Sequence, residues 1–213
     1  MACFPLVCCG VESEIPKGAR VIVNMAIPSE GKMTNKYQDK FGCPAERTKG
    51  KVKPTMAAWI QDFIRHSPFC VLATSNANGD CDASPKGGRP GFVKVLNAKQ
   101  LFIPDVAGNK LFHGYGNIES NPKAGLVFFI PGHNSTVRVN GKVRVIDKSE
   151  LPHVHLEVHN PDEKAEILQG LLLDVDESYS HCPRALKFSR LWDVDEVTKN
   201  VAKPPLGTKD PGI

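Results

Sequence analysis

The sequence lacks most of the features that would place it quickly. No apolar run approaches the roughly 18–20 residues needed to span a bilayer, so no membrane span is expected. Neither G-x-G-x-x-G nor G-x-x-x-x-G-K-[ST] occurs, and no repeated βαβ spacing is present, which argues against Rossmann and P-loop nucleotide domains. Self-similarity of the kind that marks repeat proteins is absent. Charge is nearly balanced, with 27 Lys+Arg against 23 Asp+Glu, and so slight an excess does not point to nucleic acid. The seven cysteines include no C-x-x-C pair, and an odd, irregular set fits reduced thiols in a cytoplasmic protein. The first ten residues lack a charged n-region and a long apolar h-region, so no secretory leader is expected there.

What is present begins with Phe69–Val95, FCVLATSNANGDCDASPKGGRPGFVKV. Phe69–Ser75 is apolar and β-branched enough for a buried strand, and Asn78-Gly79 is the expected hairpin turn. The returning chain reaches Ser84-Pro85-Lys86-Gly87-Gly88-Arg89, where a hydroxyl, two cations and flexible glycines lie close together. Those groups suit an anionic ligand approached by backbone, or alternatively a solvated surface loop. Cys70 and Cys81 are expected to face each other across the hairpin as apolar fillers.

Around this stretch the chain reads as helices inserted between hairpins. Thr55 is a fair N-cap for an amphipathic helix to His66, closed by Pro68. Phe92–Leu96 and Leu101–Pro104 read as a strand pair turning through Asn97–Gln100. Asn109 is a plausible N-cap for a helix to about Ser120, whose first turn beside Lys110 would offer a phosphate seat. Lys123–Ile130 and Thr136–Asp147 form the next two strands, with Val137, Val139, Val143 and Val145 on one apolar face and Asn140-Gly141 marking a bulge or a close ligand approach. A helix broken near Asn160-Pro161 is expected within Ser149–Gln169, and Leu171–Tyr179 is the last strand. Residues 1–54 read as a partly ordered N-terminal extension with a short β-like run at Arg20–Ile27, 55–193 as the domain, and 194–213 as a tail. Six or seven mostly hairpin-linked strands imply a mainly β, α+β fold built on a small antiparallel barrel.

Two chemical patterns carry less. His153, His155 and His159 in HVHLEVH include an i, i+4 pair that could bind zinc, but Leu156 stands where a zincin needs Glu, so no metal is expected. Cys182 beside His181 is a conceivable nucleophile and more simply a small apolar residue.

The succession ATSNANGDCDASPKGGRPGFVKVL, LFIPDVAGNKLFHGYGNIESNPKAGLVFFIPG, TVRVNGKVRV and HCPRALKFSRLW resembles the pyridoxamine 5′-phosphate oxidase-related flavoproteins. Within them it is most similar to an FMN-dependent subgroup with an SPRG-PPGFV-like loop, a PDRPGN-like helix start, an LRVNG-like strand and an HC-KA…S-LW close. The resemblance implies a split β-barrel that dimerises, with FMN in a groove between subunits and flavin-mediated electron or hydride transfer. Carried onto this chain, Lys86, Asn109 and Lys110 would grip the phosphate, with Ser84 and Asn117 beside them. Arg138 and Asn140 would line the groove, and Lys187, Arg190 and Trp192 would reach the flavin bound mainly by the other subunit. On residue type alone, Arg138 reads equally as a solvated strand residue and Trp192 as core. The chain carries Phe188 where relatives carry Arg, and the C-terminal Arg-x-His substrate element of true pyridoxamine phosphate oxidases is not visible. Synthesis of pyridoxal phosphate is therefore not expected, and no catalytic side chain is assigned. Deazaflavin F420 or haem in the same groove, or a non-catalytic flavin carrier or sensor, are the alternatives.

Overall fold

The computed structural model describes residues 35–203, apart from 107, 109 and 151–165. Two compact units divide at residues 43 and 44. The described part of the first holds one short helix, α1 (Lys36–Phe41), whose Asn35 side chain accepts from the Tyr37 and Gln38 N–H groups.

In the second unit the elements run α2 (Glu46–Lys49), α3 (Ala58–His66), β1 (Phe69–Ser75), β2 (Cys81–Gly87), β3 (Lys94–Asn97), β4 (Gln100–Val106), α4 (His113–Ser120), β5 (Lys123–Phe129), β6 (Thr136–Asp147), β7 (Ile167–His181), α5 (Arg184–Phe188) and α6 (Val194–Ala202). The strands form one antiparallel sheet in the order β2-β1-β5-β6-β7-β4-β3. This is the seven-stranded split barrel: the curled sheet leaves β2 and β3 as unpaired edges. Its inner face buries Leu72, Leu126, Phe128, Val139, Leu173 and Leu101, and α3 adds Ile60 and Ile64 at i, i+4. Alternation in the strands thus delivers one apolar face, and a helix with period 3.6 covers it.

Several local expectations shift. In the first hairpin the turn residues are Ala77 and Asn78, closed by Asn76, whose side-chain oxygen accepts from the Asn78 and Asp80 N–H groups. Only Gly79 has positive φ, at 91°, so the loop is one residue longer than a two-residue Asn-Gly turn. Ser84 and Lys86 lie on β2 itself, directly opposite Leu72 and Cys70 of β1, rather than in a loop. Cys81 therefore faces Ser75, and Cys70 and Cys81 do not meet. Thr55 does not cap α3, which starts three residues later; its carbonyl accepts the Ser178 hydroxyl at 2.8 Å while Lys53 pairs with Ser178. The β3–β4 turn is the two residues Ala98-Lys99.

Strand β6 keeps Val137, Val139 and Val143 in the core, but Val145 is exposed. The strand runs past the core, and its next residue, Ile146, joins Phe102 and Leu172 in a small cluster on the opposite face. Strand β7 is longer than expected at both ends, and Val194–Ala202, expected as tail, is a helix capped by Asp193, which accepts from the Glu196 N–H. The Arg20–Ile27 run and the interrupted 149–169 helix, beyond the 3-10 turn at Lys148–Glu150, lie outside the described residues.

The bulge expected at Asn140-Gly141 is present as a register shift: Asn140 pairs with Glu177 and Gly141 with Val175, so Asp176 of β7 is skipped. The backbone of β7 closes on Gly141 so tightly that a Cβ there would lie 2.0 Å from the Asp174 carbonyl oxygen. Gly141→Ala should therefore destabilise the domain by about 3 kcal/mol or more in urea unfolding. Gly116→Ala, at an open helical position, should instead stabilise by about 0.5–1 kcal/mol.

Candidate functional site

The site grows from the edge strand β2. Alternation turns Asp82, Ser84 and Lys86 to the side shared with Thr74, Leu72 and Cys70. Lys86 cannot stay buried without a partner, and none exists on β1. It reaches across the split to Asp105 of β4, with Nζ 3.2 Å from Oδ1. The two side chains keep only 23% and 12% of their exposure. Asp105 stands opposite Gln169 of β7. From above, α4 lowers Tyr115 toward the same carboxylate. The Tyr115 hydroxyl is buried beside the Asp105 and Gln169 side chains. Burial first, and then the Asp105 carboxylate by its charge and by hydrogen bonding to the phenol, hold its proton well above the usual tyrosine range. Lys86 and Asp105 line a cavity of about 200 Å³ with Pro85, Phe92, Pro104 and Val106. An ammonium, a carboxylate and a phenol thus converge at the seam of the barrel.

The phosphate seat expected at Asn109–Lys110 is not a helix start. Helix α4 begins at His113, after Lys110 and Phe112 adopt left-handed backbone at φ 63° and 49°. Phe112, in the capping position, supplies no side-chain bond. Asn109 lies outside the described residues; Lys110 is exposed. The first turn of α4 faces Asp82, whose Oδ2 would lie 3.6 Å from a Cβ built on Gly114. A carboxylate near that end is stabilised by the free N–H groups of the first turn. Asn117 on the same helix donates to Thr74 Oγ1 at 3.0 Å, which pins α4 to β1. Between α4 and the β1–β2 turn lies a second cavity of about 510 Å³, bordered by Asn76, Asp82, Phe112, His113 and Asn117.

Arg138 and Asn140 occupy the outer face of β6, opposite in direction to the buried Val137 and Val139. Asn140 donates to Glu177 at 2.7 Å. Arg138 lies between Val127 and Tyr179, and its buried Nε has no acceptor among the described residues. Lys187 is exposed on α5; Arg190 is tied to Asp193 and Glu196; Trp192 donates to the His133 carbonyl at 3.2 Å, at the β5–β6 turn. The fold therefore gathers Ser84, Lys86 and Asn117 along β1–β2–α4, and sets Arg138 and Asn140 on the other face of the sheet. Asp82, Asp105 and Tyr115 were not anticipated. A carboxylate ending the otherwise apolar run LFIPDV was the available signal for Asp105. Among the described residues no cluster of three His, Cys, Asp or Glu side chains could hold a metal ion, and HVHLEVH lies outside them. No helix among them is long and apolar enough to cross a membrane.

The family profile described as pyridoxamine 5′-phosphate oxidase matches residues 56–165, more than half of the chain. This protein belongs to the pyridoxamine 5′-phosphate oxidase family. The matched span includes β1 to β6 and α4, and so all of the Lys86–Asp105–Tyr115 convergence. Among solved structures, a candidate pyridoxamine 5′-phosphate oxidase from Lactobacillus delbrueckii is 22% identical, with TM-score 0.44, covering 60% of this chain and 95% of that one. A pyridoxamine 5′-phosphate oxidase-related, FMN-binding protein from Nostoc punctiforme is 17% identical, with TM-score 0.39 and coverage of 60% and 85%. An F420 reductase is 14% identical, with TM-score 0.36 and coverage of 57% and 94%. No curated protein matches the chain.

The seam also governs one thiol. Cys70, buried beside Lys86, has its pKa pushed up to about 12 by burial, which the Lys86 charge only partly offsets. Its folded value lies above that of an unfolded cysteine, so stability from this group is full below about pH 8.5 and declines above it as the unfolded chain ionises. Iodoacetamide at pH 9 should modify the exposed Cys43, Cys81 and Cys182 and spare Cys70 until denaturant is added, as read by peptide mass spectrometry.

Proposed function

We propose that this protein is an FMN-dependent oxidoreductase, acting as a cytoplasmic homodimer on a small substrate. The observation that carries the reading is a half-buried lysine ammonium, Lys86, lining a cavity at the barrel seam in a member of this family. The residues present fit such a ligand. Among the described residues the buried Arg138 Nε has no acceptor, and buried donors without partners are rare in folded proteins. A flavin mononucleotide is rich in acceptors, on its phosphate and on its ring.

In this reading Lys86 and the exposed Lys110 hold the phosphate. Ser84 and Asn117 stand beside them, with Asn109 at the same segment. Arg138, Asn140 and, from the partner copy, Lys187, Arg190 and Trp192 complete the groove. The flavin, when bound, carries the electrons. The chain supplies binding, orientation and exclusion of water, and needs no nucleophile of its own. Among the described residues four cysteines are free, one of them buried, which agrees with a reducing compartment.

Mass spectrometry of the ligand that accompanies the purified protein tests the cofactor; F420 or haem in place of FMN would overturn it. A second test addresses the phosphate. Lys86→Met with Lys110→Met should weaken FMN binding by about ten- to a hundredfold, the loss of one or two charge-assisted contacts. Riboflavin, which lacks the phosphate, should bind both proteins equally. Flavin fluorescence quenching reads both, and unchanged FMN affinity would remove the phosphate assignment.

A further inference from the structure

The larger cavity, between α4 and the β1–β2 turn, enters the reading above only at Asn117. Its volume of about 510 Å³ is that of a small-molecule site. The chain has 27 Lys and Arg residues and a net charge of +4, yet no lysine or arginine lines this cavity. Its side-chain donors are spent within the chain. The Asn76 amide donates to Asp80 Oδ2 at 2.8 Å, and the Asn117 amide to Thr74 Oγ1 at 3.0 Å. The Ser120 hydroxyl donates to the Asn117 carbonyl at 3.2 Å, and the Cys81 thiol to the Gly79 carbonyl at 3.4 Å. His113 is the exception, and its ring can accept as well as donate. The acceptors, by contrast, are open. Asp82 is half-buried and has no hydrogen bond or ion pair among the described residues, and Asp80 Oδ1 and Asn117 Oδ1 are unengaged as well.

We propose that this cavity binds a small organic ammonium, a protonated primary amine on an apolar or aromatic body, with Asp82 as its counter-charge and the Phe112 ring as its apolar wall. The inference does not rest on the FMN reading. A cavity that has used its donors and kept its acceptors selects a ligand that brings donors. An ammonium brings three, and its charge answers the unpaired carboxylate of Asp82. The Phe112 ring keeps 44% of its exposure and is fixed by edge-to-face contact with Tyr115, with ring centroids 5.8 Å apart. An aromatic wall beside a carboxylate favours a cation on an apolar body twice over, through apolar contact and through the negative face of the ring.

Two other occupants fit the same walls poorly. A metal ion needs several ligands converging on one point, and among the described residues no three His, Cys, Asp or Glu side chains do so. A phosphate or carboxylate would meet Asp80 and Asp82 with no cation lining the cavity to offset them. The free N–H groups of the first turn of α4 do not reverse this, because Asp82 already faces them.

The experiment titrates the full chain at neutral pH with three probes of one shape, benzylamine as the cation, benzyl alcohol as the neutral analogue and benzoate as the anion, by isothermal titration calorimetry. Benzylamine should bind at least about tenfold more tightly than benzyl alcohol, the value of a charge-assisted contact, and benzoate more weakly than either. Asp82→Asn should lower benzylamine affinity about tenfold and leave benzyl alcohol unchanged. Phe112→Leu should weaken benzylamine about three- to tenfold. The exposed Cys81 lines the cavity and reports the location on the native chain: benzylamine should slow its alkylation by iodoacetamide while Cys43 and Cys182 react at their former rates, as read by peptide mass spectrometry. Equal affinity for the amine and the alcohol, stronger binding of benzoate, an Asp82→Asn variant with native benzylamine affinity, or an unprotected Cys81 at saturating benzylamine overturns the site. None of these outcomes bears on FMN, whose test is the ligand that accompanies the purified protein.

Discussion

A sheet that curls without closing leaves two edges, and the contact between Lys86 and Asp105 is what spans the gap. Strands β2 and β4 are not neighbours in the sheet; four strands lie between them. Their approach is made by side chains, and one ion pair is its charged centre. The pair is more than a strap. It sets which way β2 must present its residues, because a slip of one position would turn Lys86 outward and Pro85 inward. That register in turn puts Ser84 and Asp82 on the inner side, and Asp82 against the first turn of α4. The placement of α4, and with it Tyr115 and Asn117, follows from the same alternation.

The two faces of the sheet have different tasks. The inner face is a continuous apolar core with one polar seam. The outer face of β5–β7 carries Arg138 between Val127 and Tyr179, a guanidinium whose Nε has no acceptor among the described residues, next to a bonded Asn140–Glu177 pair. A buried cationic donor left open at the middle of a sheet is a cost to the isolated chain. The segment from α5 to α6 adds to this, with Phe188, Leu191, Val194, Val197 and Val201 all exposed. Helix α6 has nine residues and buries none of them, which is short for a helix to persist on its own hydrogen bonds. These features agree with a chain that completes itself against a second copy.

What the sequence disclosed follows a physical line. Strands were legible where alternation met a core: Phe69–Ser75 and Thr136–Asp147 fall at their expected limits because apolar parity and turn residues mark both ends. Helix starts were not legible. Thr55 and Asn109 have the right side chains for capping, yet α3 and α4 begin three and four residues later. In the first case Ser178 engages the Thr55 carbonyl from a strand far away in the chain, which no local reading can see. Val194–Ala202 escaped because its apolar residues are sparse and it has no buried face. Within the site, Lys86 and Asn117 were visible as residue types suited to an anion. Asp105 and Tyr115 were not, since their meaning depends on a contact across the split.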